Sequence, residues 1–558
     1  MKPPAVLHAT LDALADLAEI RGASAEAAEL RRAASAIEAL EPAARAALER
    51  RAKRNRLENE PGISDALHPT LRDAVVRGEG AVTDACGGLP ILLRRLLELR
   101  IINTHEAAVL VQQFGIVTLP DLQSALDDGR QKALGEATRE RLRAAAPSLE
   151  LEATLLPLGR ATDLLDGVIA AIMRCCPSLD LLTPAGDVRR FEALVSSPVI
   201  VGRSSDPSRA VEMLAVMPGV EDVRHIGGRR VVVQIQQVEV DIRVAAPDDY
   251  GTVLFNATGS RAHLRGVHER RGRPRLAPGE EAVYAHAGLP FIPAEIRQGS
   301  GEIEAAATGT LPLLVQREHI RGDLHMHTTY SDGADALDAM VAQCSALGYE
   351  YIAITDHSER AAAGRTLSRS DLGRQRDQIA AIRERYPTLT ILHGIEVDIM
   401  PDGRLDFEDA VLETLDIVLA SLHDPAKHDP RRLTARCIGA IRHPLVTIIT
   451  HPANRLVGRR GGYELDFDAV YAAAAETGTA LEVDGAPSHL DLDGDHARSA
   501  IASGVTLTID SDCHRARSLQ RQMALGIGTA RRGWVEPRHV LNTRPLAEVL
   551  AFIAAKRG

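Results

Sequence analysis

The sequence is poor in aromatic residues, which make up only 3% of its 558 positions and include a single Trp. Its cores must therefore be built from Leu, Val, Ile and Ala, because apolar residues as a whole reach an ordinary 45%. It also lacks any run of about 18 to 20 apolar residues, the length that a membrane-spanning helix needs. A chain of this length predicts two to four domains, each able to bury its own core.

Cysteine is also scarce, with six residues and no Cys-x-x-Cys pair among them. This pattern excludes a disulfide framework and favours a reducing compartment. The first twenty residues lack the apolar core and cleavage site of a secretory signal. We therefore expect a cytoplasmic protein with no membrane partner.

The chain has no excess of positive charge: 65 basic and 76 acidic residues give a formal net charge of −11. This balance excludes a protein that coats nucleic acid through its overall charge. It leaves room for a local basic groove, and bound divalent cations would offset clustered carboxylates. The oligomeric state is left open by the sequence.

The texture of the sequence changes along the chain. Residues 1–150 show Ala, Leu and Arg at helical spacing, broken at Gly and Pro. From about residue 160 the pattern is mixed, with strand-like runs at 198–202, 231–244 and 252–255. Residues 259–316 are rich in Gly, Arg and Pro and are expected to form an irregular linking segment.

From residue 320 onward, short apolar runs alternate with helical ones. This alternation is typical of a parallel barrel or sheet. The predicted strands are 351–355, 390–397, 416–422, 446–450, 479–483 and 505–509.

Imidazoles and carboxylates recur at or just after the C-terminal ends of these strands, where βα barrels carry their chemistry. In the run Asp323-Leu-His325-Met-His327, residues two apart in an extended chain point the same way, so both imidazoles would face one site. A lone His at a strand end is ordinarily a surface or core residue, but the repetition at successive strands indicates metal binding. A mixed set of His, Asp and Glu suits zinc, manganese or iron.

The segments DLHMHTTYSDG, ITDHS, GIEVDI, ASLHD, THP and SDCH resemble the ordered motifs of the PHP (polymerase and histidinol phosphatase) family. The resemblance implies a distorted (β/α)7 barrel that binds two or three divalent ions. It implies a metal-bound hydroxide as the nucleophile, with the general acid unidentified. The implied ligands are His325, His327, Asp332, His357, Glu396, His423, His451, Asp512 and His514.

Nearly the whole chain resembles the bacterial family X DNA polymerases with a C-terminal PHP domain. Segments that carry this resemblance include FGIVTLPDLQSAL, VEVDIRV, NATGS, FIPAEIRQGSGEIEAA and ARRGWVEPRHVLNTRPLAEVL. The resemblance implies a multidomain α/β protein in three parts. These are an all-α helix-hairpin-helix region at 1–150, an α+β nucleotidyltransferase-like palm and thumb at 151–315, and the PHP domain at 320–558.

The polymerase chemistry is where the sequence departs from that family, whose palm holds two metal ions with three carboxylates. In the Gly-Ser-x-Arg-Arg element the Ser is replaced by Asp187, and Ser197 and Val199 stand at the Asp-x-Asp positions. Only the third carboxylate, Asp241, remains, and Glu192 is the sole acid within 191–205. We therefore expect polymerase activity to be lost or very weak, with Asp241 as a vestige.

The DNA-binding signals are weakened too. The first hairpin keeps Pro61-Gly62-Ile63-Ser64, and the second reads Asn103-Thr104-His105 where Gly-x-Gly is expected. The most basic segment, Arg261–Arg275, is either a phosphate contact or a solvated surface. Contacts to DNA or phosphate implied by the resemblance are Gly62, Arg189, Arg190, Gly259, Ser260, Arg265, Arg270 and Arg271.

The favoured function is a metal-dependent phosphoesterase that acts as a 3′→5′ exonuclease, with possible 3′-phosphatase action, on DNA ends in repair. One alternative is a small-molecule phosphomonoesterase of the histidinol phosphatase type, and another is a non-catalytic scaffold that binds DNA ends. The four remaining His of the C-terminal half are expected to be structural or surface residues: His319, His393, His428 and His443.

Overall fold

The computed structural model describes residues 7–58, 60, 63–128, 135–152, 155–272, 276–360, 366–423 and 429–558. The chain forms two compact units, each made of several segments. The first unit is Met1–Thr154, Leu164–Gly186 and Ser196–Ala287, and the second is Leu155–Asp163, Asp187–Val195 and Gly288–Gly558. The three-part division drawn from the sequence stays a prediction. Among the described residues, no helix is both long and apolar enough to cross a membrane.

The first unit begins with a run of helices, as the apolar periodicity of the sequence predicts. The long helical stretch expected at 10–58 is broken into three helices, because Gly22 adopts a positive φ of 84° and Pro42 begins a new helix. The helices are α1 (Leu7–Ile20), α2 (Ser24–Glu38), α3 (Pro42–Lys53), α4 (His68–Arg77), α5 (Glu79–Cys86), α6 (Ile91–Glu98), α7 (Thr104–Phe114), α8 (Leu119–Asp128) and α9 (Glu136–Glu152).

A five-stranded sheet follows in the same unit, in the order β2-β4-β7-β6-β5. Only the β4–β7 pair is parallel. The short strands β1 and β3 pair with each other in the second unit. The elements are β1 (Leu156–Pro157), α10 (Leu158–Cys175), β2 (Asp180–Ala185), α11 (Gly186–Arg189), β3 (Leu194–Val195), β4 (Val199–Arg203), α12 (Pro207–Ala215), β5 (Asp222–Gly227), β6 (Arg230–Ile235), β7 (Val238–Ala245), α13 (Tyr250–Thr258), α14 (Arg261–Arg271) and α15 (Glu280–His286).

Three expectations for this region were wrong. The strand expected at 252–255 is helix α13, because its buried residues recur at helical spacing and pack against β4. The run 231–244 is a hairpin, turned at Gln236 and Gln237 with φ of 51° and 62°. The segment 259–316 is not irregular throughout, because it contains α14, α15 and α16 (Glu302–Thr308).

The second unit is dominated by a seven-stranded parallel sheet in the order β14-β13-β12-β11-β10-β9-β8. A parallel bridge between Met326 and Cys513 joins its two edges beyond the strand ends, so the sheet curls into a barrel. The elements are β8 (Gly322–Asp323), α17 (Leu337–Ala346), β9 (Tyr351–Ile354), α18 (Arg369–Arg385), β10 (Thr390–Asp398), α19 (Asp409–Leu412), β11 (Ile417–Ser421), α20 (Pro430–Ile441), β12 (Ile448–Ile449), α21 (Phe467–Thr477), β13 (Ala480–Asp484), α22 (Gly494–Ala502), β14 (Leu507–Asp510), α23 (Leu519–Arg532) and α24 (Leu546–Arg557).

The barrel strands form because they are short apolar runs covered on both faces, as parallel strands require. Every residue of β9, β11, β13 and β14 is buried. Because neighbouring strands are parallel, all of their C-terminal ends open at one mouth. The structure thus confirms a multidomain α/β protein with a helical N-terminal region and a C-terminal parallel barrel.

Candidate metal centre

The nine side chains predicted as metal ligands meet at the mouth of the barrel. Each lies at or just past the end of a strand, except Glu396, which lies inside β10. Seven of the nine are buried, and Asp332 and His514 are partly exposed. The sequence pattern therefore predicted which side chains come together, while their binding of metal stays a prediction.

His325 and His327 lie side by side at the closed edge of the barrel. Their Nε2 atoms are 3.1 Å apart, and Asp512 Oδ1 lies 3.0 Å from His327 Nε2. The three residues could hold one cation between them, because each offers a ligand atom within 4.8 Å of the others. This convergence follows from the i, i+2 spacing of the two imidazoles on extended backbone.

Glu396 is the central carboxylate of the cluster. Its Oε2 lies 3.5 Å from His325 Nε2, and its Oε1 lies 2.9 Å from His451 Nε2 and 3.6 Å from His423 Nε2. With His357 and His423 it forms a second group able to hold a cation. His451 belongs to none of the groups found among the described residues and approaches the cluster only through Glu396. One carboxylate therefore contacts imidazoles from several strands, the position of a bridging ligand.

A third group lies at the outer rim of the mouth and comprises His327, Asp332, His357 and His514. Asp332 Oδ1 is 3.2 Å from His514 Nε2 and 3.6 Å from His357 Nε2. The imidazole of His514 is oriented by its Nδ1–H, which donates to the carbonyl oxygen of Asp512. Its Nε2 thus remains available to a cation.

Two carboxylates that the sequence reasoning missed orient the predicted ligands from behind. Glu482 on β13 accepts a hydrogen bond from His325 Nδ1 at 2.7 Å and another from the backbone N–H of His451. Asp398 at the end of β10 accepts from His423 Nδ1 at 2.7 Å. Such pairs fix the tautomer that leaves Nε2 free for a metal. The signal was present in the sequence, since Glu482 lies within a predicted strand beside the others.

The loop that carries Asp332 is held by Asp356, the residue before His357. Its carboxylate accepts hydrogen bonds from the N–H of Thr328, the N–H and hydroxyl of Ser331 and the amide of Gln375. Asp356 is thereby saturated by donors and serves to position the rim.

The electrostatics of the cluster favour cations. Burial alone would raise the pKa of Glu396, but His357 and His325 hold it well below its usual range. Burial alone would lower the pKa of His451, and the contact with Glu396 raises it to about 9. Enclosing several carboxylates costs several kcal/mol for each ion that lacks a partner. Bound cations would remove that cost.

The residues fit a metal cluster on a further observation. Glu396 Oε2 is buried and lies 2.7 Å from His357 Nδ1, yet the two atoms are not aligned as a hydrogen bond. Donor atoms that converge without hydrogen-bonding one another are arranged for a shared cation. When bound, cations at such a site would activate a water and hold phosphate oxygens.

The remaining histidines of the barrel lie off the cluster. His393 is buried, contacts the Gln375 side chain, and has its pKa lowered to about 4 by burial. His319 accepts a hydrogen bond from the N–H of Gln316, and His443 contacts Asp409. His428 lies outside the described residues.

The sheet of the first unit holds Asp241, the remaining palm carboxylate, in an ion-pair network. Arg230 donates to both of its oxygens at 2.7 and 2.8 Å, and Arg243 donates to Oδ2 at 2.9 Å. Asp121 of α8 contacts the same two arginines at 2.8 and 3.2 Å. Val199 is the register partner of Asp241, so a methyl-bearing side chain stands beside it on β4. The described residues around Asp241 include no group able to hold a metal ion.

The predicted phosphate-binding residues are distributed over both units. Arg190 is buried and paired with Asp187 at 2.5 Å, and Arg189 neighbours it on α11. Ser260 caps helix α14 by accepting from the N–H of His263, and Gly259 precedes it. The exposed arginines of that helix are Arg265, Arg270 and Arg271, while Gly62 lies outside the described residues.

The second predicted hairpin is the capped start of helix α7. The side chain of Asn103 accepts from the N–H of Glu106, and Glu106 accepts in turn from the N–H of Asn103. This capping box takes up two of the N–H groups that a DNA phosphate would need.

Comparison with known proteins gives a consistent result. A family model described as "PHP domain" matches residues 323–442. The "DNA polymerase/3'-5' exonuclease PolX" of Bacillus subtilis is 31% identical over 516 residues, 88% of this chain and 90% of the relative. A probable phosphatase of Caldanaerobacter subterraneus is 31% identical over 203 residues, 34% of this chain and 75% of that protein. A histidinol phosphate phosphatase structure from Lactococcus lactis, with zinc, L-histidinol and phosphate, is 17% identical over 38% of this chain and 93% of its own, with a TM-score of 0.31.

Proposed function

Because the chain belongs to the PolX family of bacterial family X DNA polymerases with a C-terminal PHP domain, we propose that it is a 3′→5′ exonuclease acting on DNA ends. The protein is a metal-dependent hydrolase. The observation that carries the proposal is the cluster around Glu396, where imidazoles and carboxylates from successive strands converge at one mouth. We assign the nine predicted ligands to two or three zinc, manganese or iron ions.

Each part of the cluster has a task in phosphodiester hydrolysis. The buried groups around Glu396 hold cations in a setting where water is excluded, which strengthens their effect on charge developing at phosphate. Asp332 and His514 at the rim are partly exposed and can meet a terminal phosphate first. Glu482 and Asp398 keep two imidazoles in the tautomer that the cations need.

The polymerase function is proposed to be lost. A family X palm needs a pair of carboxylates beside Asp241, and Ser197 and Val199 stand there instead. Arg230 and Arg243 already neutralise Asp241 at hydrogen-bond distance. A cation would have to displace two guanidinium groups to reach a single carboxylate.

A small phosphomonoester is the second candidate substrate. The observation in its favour is that the C-terminal part alone aligns with proteins called probable phosphatases over 75 to 78% of their length. Against it stands the likeness to the Bacillus relative, which extends over 88% of this chain.

One comparison separates the two substrates. The purified protein is incubated in manganese with a 5′-labelled single-stranded oligonucleotide and, separately, with small phosphomonoesters. Shortening of the oligonucleotide from its 3′ end, lost in a His423→Ala variant, is the expected result. Release of phosphate from the small esters, with an intact oligonucleotide, would refute the exonuclease proposal.

A further inference from the structure

The barrel mouth contains a further group of potential ligands that the predicted set does not explain. Asp484 ends strand β13, His489 lies in the loop after it, and Asp512 is shared with the main cluster. One ligand atom from each lies within 4.8 Å of the other two. Neither Asp484 nor His489 stands at a position that the sequence motifs assign to metal.

The carboxylate of Asp484 points to a missing partner. The residue is fully buried, and its Oδ1 accepts from the N–H of Ala486 at 2.5 Å. Its Oδ2 is also buried but has no hydrogen-bond partner among the residues that the structure describes. A buried carboxylate oxygen without a donor is costly, and a second carboxylate nearby makes it more so. A cation beside Oδ2 would remove both costs.

His489 is mounted in the orientation that a metal ligand needs. Its Nδ1–H donates to the carbonyl oxygen of Arg455 at 3.0 Å, which leaves Nε2 as the lone-pair nitrogen. Arg455 returns the contact by donating to the carbonyl oxygen of His489 at 2.8 Å and to the carboxylate of Asp493. The ring also stacks on His451, with centroids 5.3 Å apart. The loop therefore holds the imidazole rigidly next to the main cluster.

We propose that Asp484, His489 and Asp512 form an additional divalent cation site beside the main cluster. Two carboxylates and one imidazole suit manganese, iron or zinc. The inference rests on the proposed function, because it takes Asp512 as a ligand shared with the catalytic cluster. A cation there would lie on the outer side of Asp512 and screen it from the buried charge of Asp484.

Metal stoichiometry tests the proposal without any substrate. Full-length protein is stripped with a chelator, dialysed to equilibrium against manganese chloride, and analysed for manganese per chain. Asp484→Asn and His489→Ala are each expected to bind one equivalent fewer than the unaltered protein. Asp491→Asn, a buried Asp→Asn change in the same loop but outside the group, is expected to bind the same amount. Circular dichroism confirms that each variant is folded.

Two outcomes would overturn the inference. Unchanged manganese content in both Asp484→Asn and His489→Ala would mean that the group shares a proton rather than a metal. Loss of more than one equivalent would mean that these residues only support the main cluster. A His423→Ala variant keeps the two proposals apart: if it loses manganese while Asp484→Asn does not, the main cluster stands and the additional site falls.

Discussion

Replacing Asp241 with Ala tests whether the former palm carboxylate has become a structural residue. Its side chain is 1% exposed and is held by Arg230 and Arg243, which are 14% and 22% exposed. Removing one partner of a buried ion pair costs about 3 to 5 kcal/mol. Because Asp121 still contacts both arginines, we expect the lower end, about 3 kcal/mol.

Urea unfolding followed by circular dichroism measures this cost. With an m-value of about 3 kcal/mol/M, a loss of about 3 kcal/mol moves the unfolding midpoint of the affected transition down by about 1 M. Asp180→Ala is the matched control, because Asp180 also receives two hydrogen bonds from one arginine, Arg203, but is 60% exposed. An exposed pair contributes at most about 1 kcal/mol, so its midpoint should move by at most about 0.3 M.

The outcome decides the role of the residue. Asp241→Ala should retain exonuclease activity in buffer, since Asp241 takes no part in the barrel cluster. The fluorescence of Trp534, the single Trp, checks that the second unit is folded. A midpoint shift no larger than that of Asp180→Ala would refute the structural role. So would a nucleotide-incorporation activity that only the Asp241→Ala change abolishes.

The remaining predictions concern the cluster and the basic helix. Glu482→Gln should lower manganese affinity and exonuclease rate by about 10- to 100-fold, because it weakens the contact that orients His325; an unchanged affinity in equilibrium dialysis would exclude that role. Chelation should abolish DNA shortening, and added manganese should restore it; activity that survives complete stripping would contradict metal dependence. Arg265→Ala with Arg270→Ala should reduce the slope of log affinity against log salt by about 0.7 for each phosphate contact on a single strand, in a gel-shift titration in which Arg209→Ala is neutral.

The barrel and its cluster were predictable from sequence for a physical reason. Parallel strands buried on both faces leave apolar runs that are easily recognised, as at Tyr351–Ile354 and Ile417–Ser421. Their ends must meet at one mouth, so polar residues after each run must be neighbours. The spacing of His325 and His327 then gives their common direction without any knowledge of the tertiary structure.

The first unit was harder to predict because tertiary contacts override local preference there. The β-branched and aromatic residues of 252–255 favour a strand, yet Tyr250, Leu254 and Phe255 bury one helical face. The hairpin at 231–244 turns on two glutamines, which carry no turn signal in sequence. The ion pairs of Asp241 join residues more than a hundred positions apart, as in its network with Asp121.

The secondary contacts of the cluster lay between these extremes. Glu482 and Asp484 alternate on a buried strand, and charged residues at such positions are rare unless they are paired or bind metal. His489 follows in a loop with no regular spacing. Its place beside the cluster depends on the contacts of Arg455 and could not be read from the sequence.

The most direct test of the whole account uses a 3′-recessed primer–template in manganese, with and without all four deoxynucleotides. The unaltered protein and a His325→Ala/His327→Ala variant are compared on the same gel. The account predicts that the unaltered protein shortens the primer and never extends it, and that the double variant leaves it intact. Primer extension by either protein would contradict the loss of the palm, and an intact primer in every lane would contradict the exonuclease.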